Sequence, residues 1–368
     1  MNIKNNYNEC LTNLACSIRK YFDLPYNHNT IDYIDKILEE KKPKNVITIL
    51  FDGMGSNILK RTLQENSFFV SNMLKPITTV FPATTVAATT AMLTGLNPVE
   101  SGMLGWNIYY KGIDKIITTF INCEKEDEFF VPLAEAKKYK EDNMLTKPIT
   151  EEINEQGQYT GYFVSPFGEI NYESLDDMLS KIFDICQKDG KKYIYAYDTE
   201  PDHTMHDFGP DSEIVKKLII ERNEKVAKMC NSLSDTVIFI VADHGHIKVD
   251  NIFLKDYPEI IDCLKKNTSI EQRAVNFFIK DDKKEKFCTL FNKEFGEYFD
   301  LYSKEEIINS HLFGDGNENK TFREALGDYL AIAKSNKALV SKGDAVLYSQ
   351  HAGYTDDEIY VPLIVVTK

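Results

Sequence analysis

The sequence predicts an α/β fold in which a doubly wound, mostly parallel sheet carries helices on both faces. Five runs of strand length are almost continuously apolar, as expected for strands covered on both sides, and they span residues 45–51, 159–164, 193–197, 236–241 and 359–366. Helical patterns lie between these runs, at residues 84–93, 175–187 and 213–233. The alternation of strand and helix is typical of a doubly wound core.

Three segments depart from this alternation. Residues 1–44 are predicted to be an N-terminal helical decoration, because residues 7–21 have apolar side chains at helical spacing. Residues 109–150 are rich in lysine and glutamate and are interpreted as a lid-like insertion. Residues 250–343 combine many charged residues with short mixed patterns and are interpreted as an inserted, smaller α+β cap domain. The core would then comprise residues 1–249 and 344–368.

Length and charge limit the classes of function. The 368 residues are 43% hydrophobic, which is enough for a large core. A formal net charge of −14 argues against stable nucleic-acid binding and against an anionic-membrane surface, because both partners select basic patches. The charge does not exclude a phosphate substrate, since bound metal cations can invert the local field.

Membrane insertion and disulfides are not expected. No run approaches 18 consecutive apolar residues, and no apolar run follows the first lysine, so the default expectation is a cytoplasmic protein. The seven cysteines are odd in number, scattered and never in Cys-x-x-Cys spacing. We interpret them as reduced and mostly buried. The sequence does not predict an oligomeric state.

Carboxylates and imidazoles cluster where predicted strands end. In an open α/β sheet, this edge is where ligands bind. Each residue alone could be a turn aspartate or a structural histidine, but together they suffice for two divalent cations about 4 Å apart. The candidate ligands are Asp52, Asp202, His206, Asp243, His244 and His351.

A hydroxyl nucleophile could come from the helix predicted after Pro82. The first turn of a helix has free N–H groups and the positive end of the dipole, which stabilise an alkoxide and phosphoryl oxygens. A threonine there could instead be only an N-cap. Five threonines lie between Thr79 and Thr90, and the local pattern does not choose among them.

Three further histidines are left open. His203, His246 and His311 could each contact a metal, support a metal ligand or face solvent.

Taken together and in order, these segments resemble the alkaline phosphatase superfamily, and within it the type I phosphodiesterase or nucleotide pyrophosphatase branch. The matching elements extend from Val46 to Val366, apart from the insertions. They are Asp52 after the first strand, a threonine at a helix start, Glu200-Pro201-Asp202 to His206, Asp243-His244-Gly245 and His351-Ala352-Gly353. The resemblance implies an alkaline-phosphatase-like fold.

The resemblance also implies which hydroxyl attacks. In related enzymes the reactive residue lies nine positions before the threonine of a Thr-Gly pair, here Thr94-Gly95, which indicates Thr85, with Thr84 as the alternative. The Thr-Phe-Pro-Asn pattern of pyrophosphatases is altered, because Val80 precedes Phe81-Pro82. An asparagine oxyanion donor is implied at Asn107, although Trp106 occupies the position expected for it.

By the same resemblance, Asp202, His206 and His351 would bind one metal, and Asp52, Asp243 and His244 the other, beside Thr85. The expected metal is zinc, with manganese or iron as alternatives. The implied reaction is hydrolysis of phosphate diesters or nucleotide pyrophosphates through a covalent phosphothreonine. The substrate would be a small phosphate ester, possibly a nucleotide. Alternatives within the superfamily are a phosphomonoesterase, a phosphonoacetate-type phosphonate hydrolase and a phosphotransferase.

Overall fold

Two large sheets, two small two-stranded sheets and the helices that cover them make up the fold of this protein, whose computed structural model describes residues 4–368. The strands are β1 (Asn45–Phe51), β2 (Met73–Thr78), β3 (Asn107–Tyr110), β4 (Lys115–Thr118), β5 (Cys123–Glu124), β6 (Thr160–Val164), β7 (Lys192–Asp198), β8 (Thr236–Val241), β9 (Ile247–Lys248), β10 (Asp250–Phe253), β11 (Ser269–Ile270), β12 (Ala274–Phe277), β13 (Phe299–Ser303), β14 (Tyr329–Ala333), β15 (Lys337–Val340), β16 (Ser349–Gln350) and β17 (Tyr360–Thr367). The helices are α1 (Leu11–Tyr21), α2 (Asp32–Lys41), α3 (Ser56–Thr62), α4 (Phe68–Ser71), α5 (Thr85–Thr94), α6 (Pro98–Ser101), α7 (Ala134–Asn143), α8 (Ile149–Gln156), α9 (Leu175–Cys186), α10 (Asp202–Phe208), α11 (Glu213–Cys230), α12 (Pro258–Ile261), α13 (Lys284–Phe295), α14 (Lys304–Asn309), α15 (Phe322–Ala325) and α16 (Asp356–Ile359).

The central sheet has six strands in the order β2-β17-β8-β1-β7-β6. Strands β8, β1, β7 and β6 are parallel, whereas β17 runs antiparallel to both of its neighbours. Every residue of β1, β7 and β8 is buried. Helix α1 contacts α2 and α5, and α5 contacts α8; on the other side, α11 contacts α3, α4, α9 and α10. The predicted α/β class, with a mostly parallel sheet between helices, is confirmed.

Strand β2 was not among the predicted strands. It is an edge strand whose first four residues are only partly buried or exposed, and it contains Lys75 and Pro76. An edge strand tolerates proline and lysine because one side of its backbone forms no ladder. The apolar run that identifies a central strand is therefore missing.

A second sheet has seven strands in the order β13-β14-β12-β11-β3-β4-β5. Strands β3 to β5 lie within residues 107–124, and β11 to β14 lie within residues 269–333. The lid-like insertion and the cap, predicted as separate insertions, thus contribute strands to one sheet, joined where Ile270 pairs with Asn107. Phe277 of this sheet is fully buried and packs against Phe287 and Phe291 of α13.

All seven cysteines are free thiols, and six of them are buried. Within residues 4–368, no helix is both long enough and apolar enough to span a bilayer.

Candidate metal and catalytic site

The predicted site residues meet at one edge of the central sheet. Asp52 follows β1, Asp202 begins α10 just after β7, and Asp243 follows β8. Because these three strands are adjacent and parallel, the loops after them lie side by side. Strand β17 is antiparallel to β8, so the segment that precedes it, with His351, reaches the same edge.

One set of ligand atoms comes from Asp202, His206, His246 and His351, and these atoms all lie within 4.8 Å of one another. Helix α10 places Asp202 and His206 one turn apart, with 3.3 Å between Oδ2 and Nε2. The short antiparallel pair of β9 and β16 joins the loops that carry His246 and His351. Asp202 and His206, which are four residues apart in the sequence, therefore lie close to His351 from the C-terminal part of the chain.

Backbone carbonyls orient three of the imidazoles. Nδ1 of His206 lies 2.9 Å from the carbonyl oxygen of Ser349. Nδ1 of His244 lies 3.1 Å from the carbonyl oxygen of Gly245. Nδ1 of His351 lies 3.2 Å from the carbonyl oxygen of Ala83. A carbonyl can only accept, so each Nδ1 carries a proton, and in the neutral ring Nε2 then keeps the lone pair that a metal ion needs. This is the arrangement that supports imidazole ligands in metal sites.

A second set consists of Asp52, Asp243 and His244, all buried. Nε2 of His244 lies 3.3 Å from Oδ1 of Asp52 and 3.6 Å from Oδ2 of Asp243. Burial and then the charge of Asp202 raise the pKa of Asp52 well above its usual value. Burial and then the charge of Asp52 do the same to the pKa of Asp243.

The donor chemistry of both sets fits divalent cations. Oδ2 of Asp243 is buried and has no hydrogen-bond partner within the described part of the chain. A buried carboxylate oxygen without a partner is costly unless a cation neutralises it. Three carboxylates and three correctly oriented imidazoles are ligands that zinc accepts, and manganese or iron would also be bound by such oxygen and nitrogen atoms.

His246 differs from the other three imidazoles, because protein side chains contact both of its nitrogens. Nε2 lies 2.6 Å from Oδ1 of Asp202, and Nδ1 contacts the hydroxyl of Ser349. Burial lowers the pKa of His246 to about 4, so the ring is neutral near pH 7. A neutral ring that donates to Asp202 orients this carboxylate. The sequence left open whether His246 contacts a metal, supports a ligand or faces solvent, and the structure places it beside Asp202.

Thr85 is the first residue of α5, and its hydroxyl faces the second set of ligands. Its Oγ1 lies 3.2 Å from Nε2 of His244 and 3.5 Å from Oδ1 of Asp52. The hydroxyl of Thr84 lies elsewhere, donating to Oε1 of Glu271 at 2.6 Å. Of the two candidate hydroxyls, that of Thr85 is therefore the one beside the candidate metal ligands.

Asn107 and Thr85 line the same cavity of about 650 Å³. The carbonyl oxygen of the Asn107 side chain accepts from the Thr118 hydroxyl at 2.8 Å, which leaves the amide nitrogen free to donate. The side chain of Trp106 stacks on Phe120 and is 38% exposed. Trp106 lines the same cavity but is partly exposed, whereas Asn107 is buried.

The remaining histidines are apart from the ligand sets. His203 is exposed and lines the cavity. His311 lies on the surface, where Nδ1 is 2.6 Å from Oδ1 of Asp315. Neither belongs to a group of residues that could hold a metal within the described range 4–368.

Two glycines let the ligand loops approach each other. Gly53, directly after Asp52, has φ of +72°, and a Cβ there would lie 2.9 Å from Cβ of Asp202. A Cβ on Gly245 would lie 1.9 Å from the carbonyl oxygen of Asp357. The glycines of the Asp-Gly and Asp-His-Gly motifs are therefore required by close packing of the backbone.

Comparison with solved structures supports the fold. Murine ectonucleotide pyrophosphatase/phosphodiesterase 5 superposes with a TM-score of 0.65 at 18% identity, covering 88% of each chain. An inactive threonine-to-alanine variant of the murine protein, in complex with AMP, gives 0.63 at 17% identity, covering 86% of this chain and 87% of that one. The human protein gives 0.65 at 16% identity with the same coverage.

Sequence comparison identifies the family. A search of curated protein sequences gave no match. The family model described as type I phosphodiesterase / nucleotide pyrophosphatase matches residues 46–354, which is most of the chain and includes the candidate ligands described above. The chain therefore belongs to the type I phosphodiesterase / nucleotide pyrophosphatase family and is a hydrolase of the phosphodiester or pyrophosphate class.

Proposed function

We propose that this protein hydrolyses phosphate diesters or nucleotide pyrophosphates with Thr85 as the nucleophile, through a covalent phosphothreonine. The observation that carries the proposal is the hydroxyl of Thr85, which begins α5 and lies 3.2 Å from Nε2 of His244. A nucleophile in this position faces both the N-terminus of a helix and a set of metal ligands.

Thr85, the first turn of α5 and Asn107 would have different roles in the reaction. Thr85 attacks phosphorus in line with the leaving oxygen, and the first-turn N–H groups of α5 stabilise negative charge that develops nearby. The amide of Asn107 donates to a phosphoryl oxygen. Water then hydrolyses the phosphothreonine and returns Thr85 to its starting state.

Two divalent cations would be held by Asp52, Asp243 and His244 and by Asp202, His206 and His351. When bound, they would supply Lewis-acid chemistry that lowers the pKa of the hydroxyl and stabilises the leaving oxygen. Zinc is the metal that suits these ligands best.

A nucleotide is the first substrate class to test. A protein with a similar fold, the inactive murine variant, binds AMP. The cavity of about 650 Å³ beside Thr85 is within the size range of small-molecule sites. Beyond the ligand residues, Thr85 and Asn107, its walls come from Trp106, Thr118, His203 and Gln350, from residues 271–272 and from parts of the segments 125–130 and 343–347. These residues would select the leaving group.

The direct test compares hydrolysis of bis-nitrophenyl phosphate with that of mononitrophenyl phosphate by the zinc-loaded protein. We expect the diester to be the better substrate, and Thr85→Ala to lose at least about 10³-fold in kcat on it. Thr94→Ala is the matched control, because Thr94 is a buried threonine of the same helix that donates to the carbonyl of Thr90. Retention of activity by Thr85→Ala would reject this nucleophile.

The covalent step has its own test. Two successive displacements at phosphorus give net retention of configuration, whereas direct attack by water gives inversion. Hydrolysis of a chiral phosphorothioate diester is expected to show retention. Inversion would rule out the phosphothreonine even if diesterase activity were found.

A further inference from the structure

Glu271 connects the second sheet to the candidate catalytic residues. It follows β11 and lies in the turn before β12. One of its oxygens, Oε1, accepts two hydrogen bonds, at 2.6 Å from the hydroxyl of Thr84 and at 2.8 Å from the backbone N–H of Trp106. Glu271 also lines the cavity that contains Thr85 and Asn107.

The two donors are next to the two groups that would act on phosphorus. Thr84 directly precedes Thr85, and Trp106 directly precedes Asn107. A single carboxylate oxygen therefore joins the backbone that carries the nucleophile to the backbone that carries the oxyanion donor. The helix and the strand concerned, α5 and β3, belong to different parts of the fold.

The turn that carries Glu271 is itself held in place. Arg273, two residues later, forms a fully buried ion pair with Glu358, with 2.7 Å between Nε and Oε1. On the other side, Ile270 pairs with Asn107 in the second sheet. A Cβ on Gly105 would lie 3.1 Å from the carbonyl of Ile270, so the loop before Trp106 runs close against this turn.

We propose that Glu271 is a positioning residue for the reaction: by accepting from Thr84 and Trp106, it sets the distance between the Thr85 hydroxyl and the Asn107 amide. This inference rests on the proposed function, in which both groups act on the same phosphoryl unit. In this proposal the second sheet positions the reacting groups through Glu271, and it also lines the cavity. Glu271 acts through its acceptor oxygen and not through proton transfer.

The experiment compares Glu271→Ala with Glu271→Gln on bis-nitrophenyl phosphate, using zinc-loaded protein. The alanine variant loses the acceptor, and we expect kcat to fall by about 10-fold to 100-fold, the effect of small misplacement of reacting groups, with KM changed by less than about threefold. The glutamine variant keeps an acceptor oxygen of the same reach, so we expect it to recover most of kcat. If the glutamine variant were as impaired as the alanine variant, positioning by the oxygen would be overturned.

A second pair of variants covers the case in which Glu271→Ala does not fold. Thr84→Val removes the hydroxyl at nearly constant size, and Thr84→Ser retains it. We expect Thr84→Val to lower kcat severalfold and Thr84→Ser to resemble the wild type. Equal kcat for the wild type and Thr84→Val would overturn the proposal.

Thr85→Ala, assayed in parallel, separates this inference from the proposed function. Loss of activity in Thr85→Ala combined with wild-type kcat in Glu271→Ala would reject the positioning by Glu271 alone. Full activity in Thr85→Ala would reject the proposed function itself, and with it the positioning of Thr85.

Discussion

Replacing Glu358 by alanine tests how the second sheet is attached to the core. The carboxylate of Glu358 accepts from Nε and Nη2 of Arg273, from the backbone N–H of Gly353, and from both the N–H and the hydroxyl of Thr355, at 2.7–3.1 Å. The side chains of Arg273 and Glu358 are both completely buried. Removing the carboxylate therefore leaves a buried cation and three other donors unpaired.

We expect a large loss of folding stability, because without Glu358 the Arg273 guanidinium has too few hydrogen-bond partners. Arg273 keeps two hydrogen bonds from its Nη atoms, to the carbonyls of Lys337 and Ser335. Breaking a buried ion pair by deleting one partner costs about 3–5 kcal/mol. We expect Glu358→Ala to lower the free energy of unfolding by about this amount in urea denaturation with linear extrapolation.

A matched control removes a glutamate from an exposed pair. Glu324 contacts Lys111 at 2.8 Å, and both side chains are more than 40% exposed. We expect no measurable change in the urea midpoint for Glu324→Ala, because water already screens such pairs. A loss below about 1 kcal/mol for Glu358→Ala would refute the reasoning, since it would mean that the buried cation finds other partners.

The same pair predicts a pH dependence. Burial alone would raise the pKa of Glu358, but the charge and hydrogen bonds of Arg273, with those of Thr355 and Gly353, hold it below its usual value. A carboxyl with a depressed pKa in the folded state stabilises the fold above its unfolded pKa of about 4.3, and this stabilisation is lost as the pH falls toward the folded pKa. The difference in unfolding free energy between the wild type and Glu358→Ala should therefore be constant near pH 7 and shrink below about pH 4.

Three other outcomes follow from the site. Gly245→Ala would place a Cβ 1.9 Å from the carbonyl of Asp357, so we expect a loss of about 1–3 kcal/mol in urea denaturation and less bound zinc by elemental analysis; an unchanged midpoint would contradict the close packing. Asn107→Ala should reduce kcat on bis-nitrophenyl phosphate by about 10²–10³-fold, and wild-type kcat would exclude Asn107 as the oxyanion donor. Chelation of metal should lower the midpoint of thermal unfolding, because a ligand at 100 times its Kd stabilises the native state by about 2.7 kcal/mol per site, and added zinc should restore it. Identical calorimetric scans before and after chelation would contradict the two metal sites.

The strands that build the site were predictable because their sequences are locally distinctive. Residues 45–51 and 236–241 are almost continuously apolar, and the observed strands β1 and β8 have the predicted bounds. Parallel strands end at the same edge, so Asp52 and Asp243 could be expected to meet there. To predict that His206 and His351 also lie at this edge, the order of the motifs along the chain was needed in addition to the strand pattern.

The second sheet was not predictable in the same way. Its strands come from two stretches of sequence that are more than 140 residues apart, and the contact between Ile270 and Asn107 has no local pattern. Glu271 is one of many glutamates in a charged region, and nothing near it in the sequence indicates that it reaches Thr84. Contacts of this kind depend on pairing between distant strands.

The sequence by itself determined the class of fold, the family and the set of candidate ligands. This was possible because the strands are short apolar runs, and the candidate ligands follow them in short motifs with a fixed order. The tertiary structure decided which threonine hydroxyl lies beside those ligands: that of Thr85 faces His244, and that of Thr84 faces Glu271. The physical reason is that two adjacent residues at a helix start point in different directions. Which direction leads to the site depends on the segments folded around the helix.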